Sequence, residues 1–293
     1  MSYQSEMQKI SNIGKEISGA VFNGMFPNTN FVKLTNETEN HNGLQFVDGL
    51  NIDCKPFNPN GLCQIGGIYF IKEKYVHIWI AYNGKLMVNV RKVSIPDDAK
   101  VYIENKKFKA DKIILGPKEL IDKATYLKGV QRNGRLLFVL TKSLRSKELC
   151  KEAVKQYGYM IQFVPLEILD NEICMEAVKQ DGRALQFIPL TLKHKEICVT
   201  AVKQNGNALH FVPSNMVDIE ICIIAIMQNM AAFTYVPIHI QNTITKMNPA
   251  LQYYKEEWID LIRDQTSCTR EIAVDACIKN RGDVVNAIMS ICK

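Results

Sequence analysis

A unit of about 24 residues recurs along the second half of this chain and constrains its fold more than any other feature. The segments CKEAVKQYGYMIQFVP from Cys150, CMEAVKQDGRALQFIP from Cys174, CVTAVKQNGNALHFVP from Cys198 and CIIAIMQNMAAFTYVP from Cys222 align without a gap. A fixed step of roughly 20 to 50 residues marks stacked supersecondary units. No such unit closes a core alone. Each buries its apolar face against the next copy, so the array offers surface rather than a cleft.

Within a copy, apolar residues fall at i, i+1, i+4 and i+5, as in Ile173, Cys174, Ala177 and Val178. That spacing places all four on one side of a helix. The helix is expected to stop at Gly158, Gly182 or Gly206 through a left-handed cap. A second short helix, carrying Leu185 and Phe187 or Leu209 and Phe211, then runs into Pro165, Pro189 or Pro213. A weaker copy precedes the four, in Val130, Asn133, Gly134 and Val139. The last copy departs from the pattern, with Met230 for the glycine and Met227 for the lysine, as terminal repeats do.

The flanking regions read differently. Up to Pro117, short β-type runs (Gly67 to Phe70, Val76 to Ile80, Leu86 to Val90, Val101 to Ile103) are separated by Asn-Gly, Gly-Gly and Pro-Asp punctuation. Tyr82-Asn83-Gly84 is a hairpin signal. The pattern divides the chain into an N-terminal helical extension (1–20), a β-rich domain (21–117), helical repeats (118–241), a linker (242–254) and a small helical module (255–293). In the last, Trp258, Ile259, Leu261 and Ile262 mark a first helix. Thr269 can cap a second, with Ile272, Ala273, Ala276 and Cys277. Gly282-Asp283 opens a third, carrying Val284, Val285, Ala287, Ile288 and Ile291.

Chemistry is sparse. Nine cysteines, an odd number placed mainly at apolar helical positions, point to reduced thiols and a reducing compartment. The column Cys150, Cys174, Cys198 and Cys222 cannot converge on one ion, because neighbouring repeats lie about 10 Å apart whereas zinc draws its thiolates to about 2.3 Å. We expect no metal and no cofactor. Five histidines (His41, His77, His194, His210, His239) sit in no nucleophile or metal motif, and no phosphate-binding loop is present, so no catalytic residue is assigned. His41, Tyr69 and Glu104 share residue types with the His-Tyr-Glu set of ADP-ribosyl transferases, which keeps an enzyme in the N-terminal domain as a rival.

Charge and hydropathy give weaker limits. A net charge of +6 with interspersed acids does not demand nucleic acid; that rival requires Lys142, Arg145, Lys155, Lys179 and Lys203 to form one basic face. The lysine column, each member followed by Gln156, Gln180 or Gln204, reads as a solvated helix end or a polar groove. Gln162, Gln186 and His210 share one position on the second helix and vary there, as a recognition surface does. No apolar run reaches the ~18 residues of a membrane span.

Three resemblances add to this. "AVKQNGNALHFVP" resembles a short-repeat family of unknown function that is abundant in giant DNA viruses of amoebae. "KLTNETENHNGLQFVDGLNIDCKPFNPNGLCQIGGIYF" and "VSIPDDAKVYIENKKFKADKIILGP" are similar to the domain preceding repeat arrays in many mimivirus-type proteins. "CTREIAVDACIKNRGDVVNAIMSI" resembles the ubiquitin-associated (UBA) type module of the nascent-polypeptide-associated complex alpha subunit, with Thr269-Arg270 and the run from Asp283 to Met289 in the matching places. That resemblance implies a protein-binding module; Ile288 and Met289, at the end of the third helix, are its expected anchors unless one of them belongs to the core. Ubiquitin binders of this type carry a Met-Gly-aromatic loop where this chain has Gln265-Thr266-Ser267-Cys268, which counts against ubiquitin, and the resemblance to the nascent-chain complex subunit implies a translation-associated host factor instead.

The combined expectation is an α+β multidomain protein: an N-terminal β-rich domain, a short α-solenoid of helical hairpins and a C-terminal three-helix UBA-like bundle. Its expected role is that of a non-enzymatic interaction adaptor acting in host cytoplasm or viral factory. Its partner-binding residues are Gln162, Gln186, His210, Ile288 and Met289.

Overall fold

A computed structural model describes residues 12–60, 64–82, 84–104, 106–247, 256–280 and 283–292. They divide into two compact units, split after Leu144. In the first unit the strands are β1 (Glu16–Ser18), β2 (Phe31–Thr35), β3 (Asn40–His41), β4 (Leu44–Gln45), β5 (Gly49–Ile52), β6 (Ile68–Lys72), β7 (Ala81–Tyr82), β8 (Lys85–Leu86), β9 (Asn89–Ser94), β10 (Lys100–Ile103), β11 (Phe108–Ala110), β12 (Lys112–Leu115) and β13 (Glu119–Leu120). One antiparallel sheet runs β1-β10-β11-β6-β2-β9-β12-β5, and β13 also pairs with β9. The pairs β3-β4 and β7-β8 are separate hairpins, the second pairing Tyr82 with Lys85. Five rings, Phe22, Phe26, Phe31, Phe70 and Phe108, pack with centroids 4.9 to 5.7 Å apart. Such tilted and edge-on contacts add to the burial of the core.

Three expectations for this half are corrected. The extension expected to be helical over 1–20 lies outside the described residues up to 11, and its 16–18 segment is strand β1, whose backbone is satisfied by β10. Helix α1 (Gly19–Met25) begins only after Ser18, whose hydroxyl accepts from Val21 N. The run 76–80 is not a strand: it forms the short helix α2 (Val76–Trp79), because Val76 and Ile80, four residues apart, are both buried. Ile80 Cδ1 stands 2.3 Å from where a Cβ on Gly129 would be, so α2 packs on α3 (Lys123–Arg132) through that glycine. The sheet also extends past residue 117, through β13.

In the second unit the repeats supply α4 (Lys147–Gln156), α5 (Asn171–Gln180), α6 (Lys195–Gln204) and α7 (Ile219–Gln228). The apolar quartets are fully buried as the periodicity requires, for example Ile197, Cys198, Ala201 and Val202 at 0 to 2% exposure. Asp170 and Asp218 cap α5 and α7 through their side chains. The same carboxylates take Lys147 Nζ at 2.5 Å and Lys195 Nζ at 2.6 Å from the preceding copy.

The second half of each copy differs from the expected helix. Gly158–Phe163, Gly182–Phe187, Gly206–Phe211 and Met230–Tyr235 wind as 3₁₀ turns. Asp181, Asn205 and Asn229 start these turns by accepting from the N–H two residues on. The proline that follows holds Val164, Ile188 and Val212 in extended backbone and ends them. Nor are the glycines left-handed caps. The residues before them, Tyr157, Asp181 and Asn205, are extended, and the glycines themselves are absent from the positive-φ positions. Glycine is required by close approach. A Cβ at Gly158, Gly182 or Gly206 would lie 2.4, 2.2 or 2.4 Å from the carbonyl oxygen of Ala177, Ala201 or Ala225 in the next copy.

Beyond the repeats, α8 (Ile238–Met247) occupies much of the stretch expected to be linker, since Ile240 and Ile244 are buried one turn apart. Three helices follow, α9 (Glu256–Thr266), α10 (Arg270–Lys279) and α11 (Val284–Ile291). Thr269 and Asp283 cap the last two, accepting from Ile272 N and Asn286 N. Their core of Ile259, Ile262, Ala273, Val274, Ala276, Cys277 and Ala287 also takes in Ala231 and Met230 of the last repeat. Met230 stands where earlier copies need glycine because it meets this bundle instead of a further repeat.

Candidate functional site

The close approach at the glycines creates a ladder along the second unit. Gly158 N, Gly182 N and Gly206 N each donate to the side-chain oxygen of Gln180, Gln204 or Gln228 in the next copy, at 2.5 Å. The amide nitrogens of Gln204 and Gln228 reach back to the Gln180 and Gln204 carbonyls at 3.3 Å. Gln180 and Gln204, read from sequence as a solvated helix end or a polar groove, are thus ties between copies, as is Gln228. Arg145 is similarly engaged: its guanidinium donates to Phe163 O at 2.9 Å and stacks 5.7 Å from the Phe163 ring centre. Lys193 repeats the bond on Phe211 O at 2.9 Å. Lys155, Lys179 and Lys203 remain as an exposed column.

The position shared by Gln162, Gln186 and His210 does face outward: Gln162 is half-buried, Gln186 and His210 exposed. Gln162 and Gln186 donate within their own turns, to Tyr159 O and Arg183 O. His210 instead packs on Phe211 and Tyr235, with ring centroids 5.1 and 5.0 Å away. Tyr159 meets Phe187 edge-on at 5.1 Å. Aromatic side chains therefore interleave with the variable positions. Tyr159 and Tyr235, 50% and 42% exposed, belong to this surface and were missed. Their departure from the repeat pattern was the available signal.

At the bundle, the two expected anchors separate. Ile288 packs against the core, whereas Met289 is 55% exposed. Val285, one turn earlier on the same face of α11, is 67% exposed and was not singled out.

The column thiols are each buried within their own copy, and burial pushes Cys150 and Cys222 up to about 11 and Cys174 to about 12. Cys198 moves in the same direction. Cys54 is exposed, and Cys63 lies outside the described residues.

The first unit contains a cavity of about 360 Å³ that His41 and Tyr69 both line. Glu104 joins it indirectly, through an ion pair of 3.2 Å with the lining residue Lys107. The three side chains noted in the sequence therefore gather at one place, together with Lys33, Trp79, Tyr82 and Lys85.

Comparison with known proteins fits this architecture. A domain of unknown function, DUF4116, matches residues 122–169, 146–193, 170–217 and 194–241. Its unit spans two copies and advances by one copy at a time. The chain is similar to three Acanthamoeba polyphaga mimivirus proteins. It is 37% identical to uncharacterized protein R869 over 94 residues, 30% of this chain and 65% of that protein. It is 33% identical to putative ankyrin repeat protein R868 over 104 residues, 33% and 50% of the two chains. It is 36% identical to putative ankyrin repeat protein R838 over 123 residues, 34% and 41% of the two. The match thus covers from about two fifths to just under two thirds of these relatives. No solved structure matches. The relatives are giant-virus proteins, two of them named for repeats, whereas the 24-residue step here is shorter than the roughly 33 residues of an ankyrin unit.

Proposed function

We propose that this chain is a non-enzymatic protein-interaction adaptor. The observation that carries it is the division of labour within each copy. The glycine and glutamine that tie copies together recur at Gly158, Gly182 and Gly206 and at Gln180, Gln204 and Gln228, while the outward position held by Gln162, Gln186 and His210 changes from glutamine to histidine at constant spacing beside exposed Tyr159 and Tyr235. Repeat arrays use such surfaces to read extended partners. The C-terminal bundle acts as a UBA-like module, and Val285 and Met289 supply its apolar anchors. Its partner is a translation-associated host protein, and ubiquitin binds more weakly because the Met-Gly-aromatic loop is replaced by Gln265 to Cys268. The adaptor acts in the host cytoplasm or the viral factory. No helix among the described residues is long and apolar enough to cross a membrane.

A photo-crosslinking amino acid at Gln186 or Met289 tests the reading in infected-host lysate. One protein should be captured from each position, and the capture should be lost with His210→Glu or Val285→Asp in a chain that still folds. Equal capture from Lys112, on the sheet of the first unit, would refute a specific surface. Micromolar binding of labelled ubiquitin that Met289→Asp abolishes would overturn the choice of partner.

A further inference from the structure

Among three buried cations in the first unit, one is paired with carboxylates, one is held by backbone carbonyls, and the third has neither. Arg91 has Glu39 at 2.7 Å and Asp48 at 2.5 Å. Lys109, fully buried, donates to the carbonyls of Asn58, Asn60 and Gln64 at 2.7, 3.0 and 3.2 Å. Lys33 lies opposite Arg91 on neighbouring strands and is 6% exposed, yet it has neither arrangement. Its Nζ lies 3.4 Å from His41 Nδ1 and 5.0 Å from the centre of the Phe46 ring. Burial alone pulls Lys33 down to about 8, with no carboxylate acting against it. Burial, Lys33 and Lys85 together push His41 down to about 4, so its imidazole is neutral at pH 7. An ammonium desolvated without an anion is costly to keep.

Lys33 lines the cavity, which supplies the context for its missing partner. Lys33 and Lys85 form its cationic part beside the neutral His41, and Tyr69, Trp79 and Tyr82 its aromatic part. Lys107 stands 4.4 Å from the Tyr69 ring centre and 5.6 Å from that of Trp79, but Glu104 offsets its charge. The Trp79 indole N–H is buried with no acceptor among the described residues. Buried donors of this kind are rare unless a ligand or water completes them.

We propose that this cavity binds a small phosphate monoester carrying a flat aromatic ring, of the nucleoside monophosphate class, with the phosphate on Lys33 and the ring against Tyr69 and Trp79. Lysines act on phosphate as point charges and require no planar bidentate partner. Aromatic walls stack on a base through its π-face, whichever base it is. A cavity of about 360 Å³ is at the small end of ligand sites, which suits one nucleotide and not a dinucleotide.

Calorimetric titration of the full chain with AMP, GMP, CMP, UMP, adenosine and inorganic phosphate tests this. At least one nucleotide should bind in the micromolar range, with adenosine and phosphate each at least about tenfold weaker. Lys33→Met should weaken binding about 10- to 100-fold, the loss of one charge-assisted hydrogen bond. Lys85→Glu, at the exposed rim, should weaken it about tenfold. Lys112→Met, which breaks a pair with Asp98 at 2.5 Å outside the lining residues, should leave affinity unchanged. Absence of binding at millimolar nucleotide, or binding that neither Lys33→Met nor Lys85→Glu alters, overturns the proposal. Phosphate binding as tightly as every nucleotide overturns its aromatic half.

Discussion

Gly182→Ala separates two accounts of why the repeats contain glycine, because they predict opposite signs. If glycine served only to end a helix, alanine at its ordinary backbone angles would stabilise by about 0.4 to 1 kcal/mol through a less disordered unfolded chain. The structure requires the reverse. A Cβ there would lie 2.2 Å from Ala201 O and 3.0 Å from Gln204 Oε1, and the first contact is with backbone, so copies must separate by about 1 Å to reach van der Waals distance. Overpacking of this kind costs about 1 to 3 kcal/mol. The separation also breaks the Gly182 N to Gln204 Oε1 bond and leaves a buried N–H unpaired, which adds about 1 to 3 kcal/mol. We expect a net loss of about 1 to 5 kcal/mol. Urea unfolding followed by far-UV circular dichroism measures it, with the slope of each transition compared so that a decoupled array is distinguished from a uniformly weaker one. A variant as stable as the parent, or more stable, would refute close approach as the reason for glycine.

Other predictions follow from the same contacts. Met230→Gly should destabilise the chain by about 2 to 4 kcal/mol, read by thermal unfolding, since Met230 fills the junction with the bundle rather than facing another copy. Iodoacetamide at pH 8 should label Cys54 and Cys292 in the native chain and spare Cys150, Cys174, Cys198 and Cys222, as mass spectrometry of the peptides will show; rapid labelling of the column would contradict its burial. The folded pKa of Lys33 lies below its unfolded value, so the folded state binds fewer protons between about pH 8 and 10.5 and stability rises with pH across that window. Lys33→Met should therefore be more stable than the parent below pH 8, by about 2 kcal/mol after the lost contact to His41, and the difference should shrink toward pH 10.5 in parallel denaturant titrations.

The repeat was legible because its signal is local. Ile173, Cys174, Ala177 and Val178 recur at helical spacing, and the quartet is buried in every copy of the second unit. Capping by Thr269 and Asp283 was equally readable. What escaped depends on neighbours far along the chain. The run 76–80 has β-type composition, but Gly129, some fifty residues on, provides the groove that makes it a helix. Glycine at 158, 182 and 206 suggested a cap, although its constraint comes from a carbonyl one copy later. The same distance hid the role of Gln180, Gln204 and Gln228, since a glutamine that bridges two copies looks like a solvated helix end in one. The cavity was beyond reach of pattern, because it joins residues from β2, β3, β6, β8 and α2. His41, Tyr69 and Glu104 had been noted only as residue types.

The ladder has a consequence for how recognition can vary. Each of the first three copies is held to the next by a Gly N–H on a glutamine side chain, joined at some junctions by a glutamine amide or by the capping Asp170 or Asp218, and none of these bonds uses the outward position of the 3₁₀ turn. Substitution at Gln162 or Gln186 therefore changes the surface without loosening the joints, whereas His210 also touches Tyr235 of the next copy. Surface replacements of this sort usually fall within about 0.5 kcal/mol of neutral. Residues in the joints have no such freedom, since each serves two copies at once. At the C-terminal end Met230 and Ala231 enter the core of the three-helix bundle, which fixes Val285 and Met289 relative to the variable row. Two weak contacts held at a set distance act as one stronger contact, provided one partner spans both. Cutting the junction with Met230→Asp should thus weaken capture through both surfaces, although neither surface is itself altered.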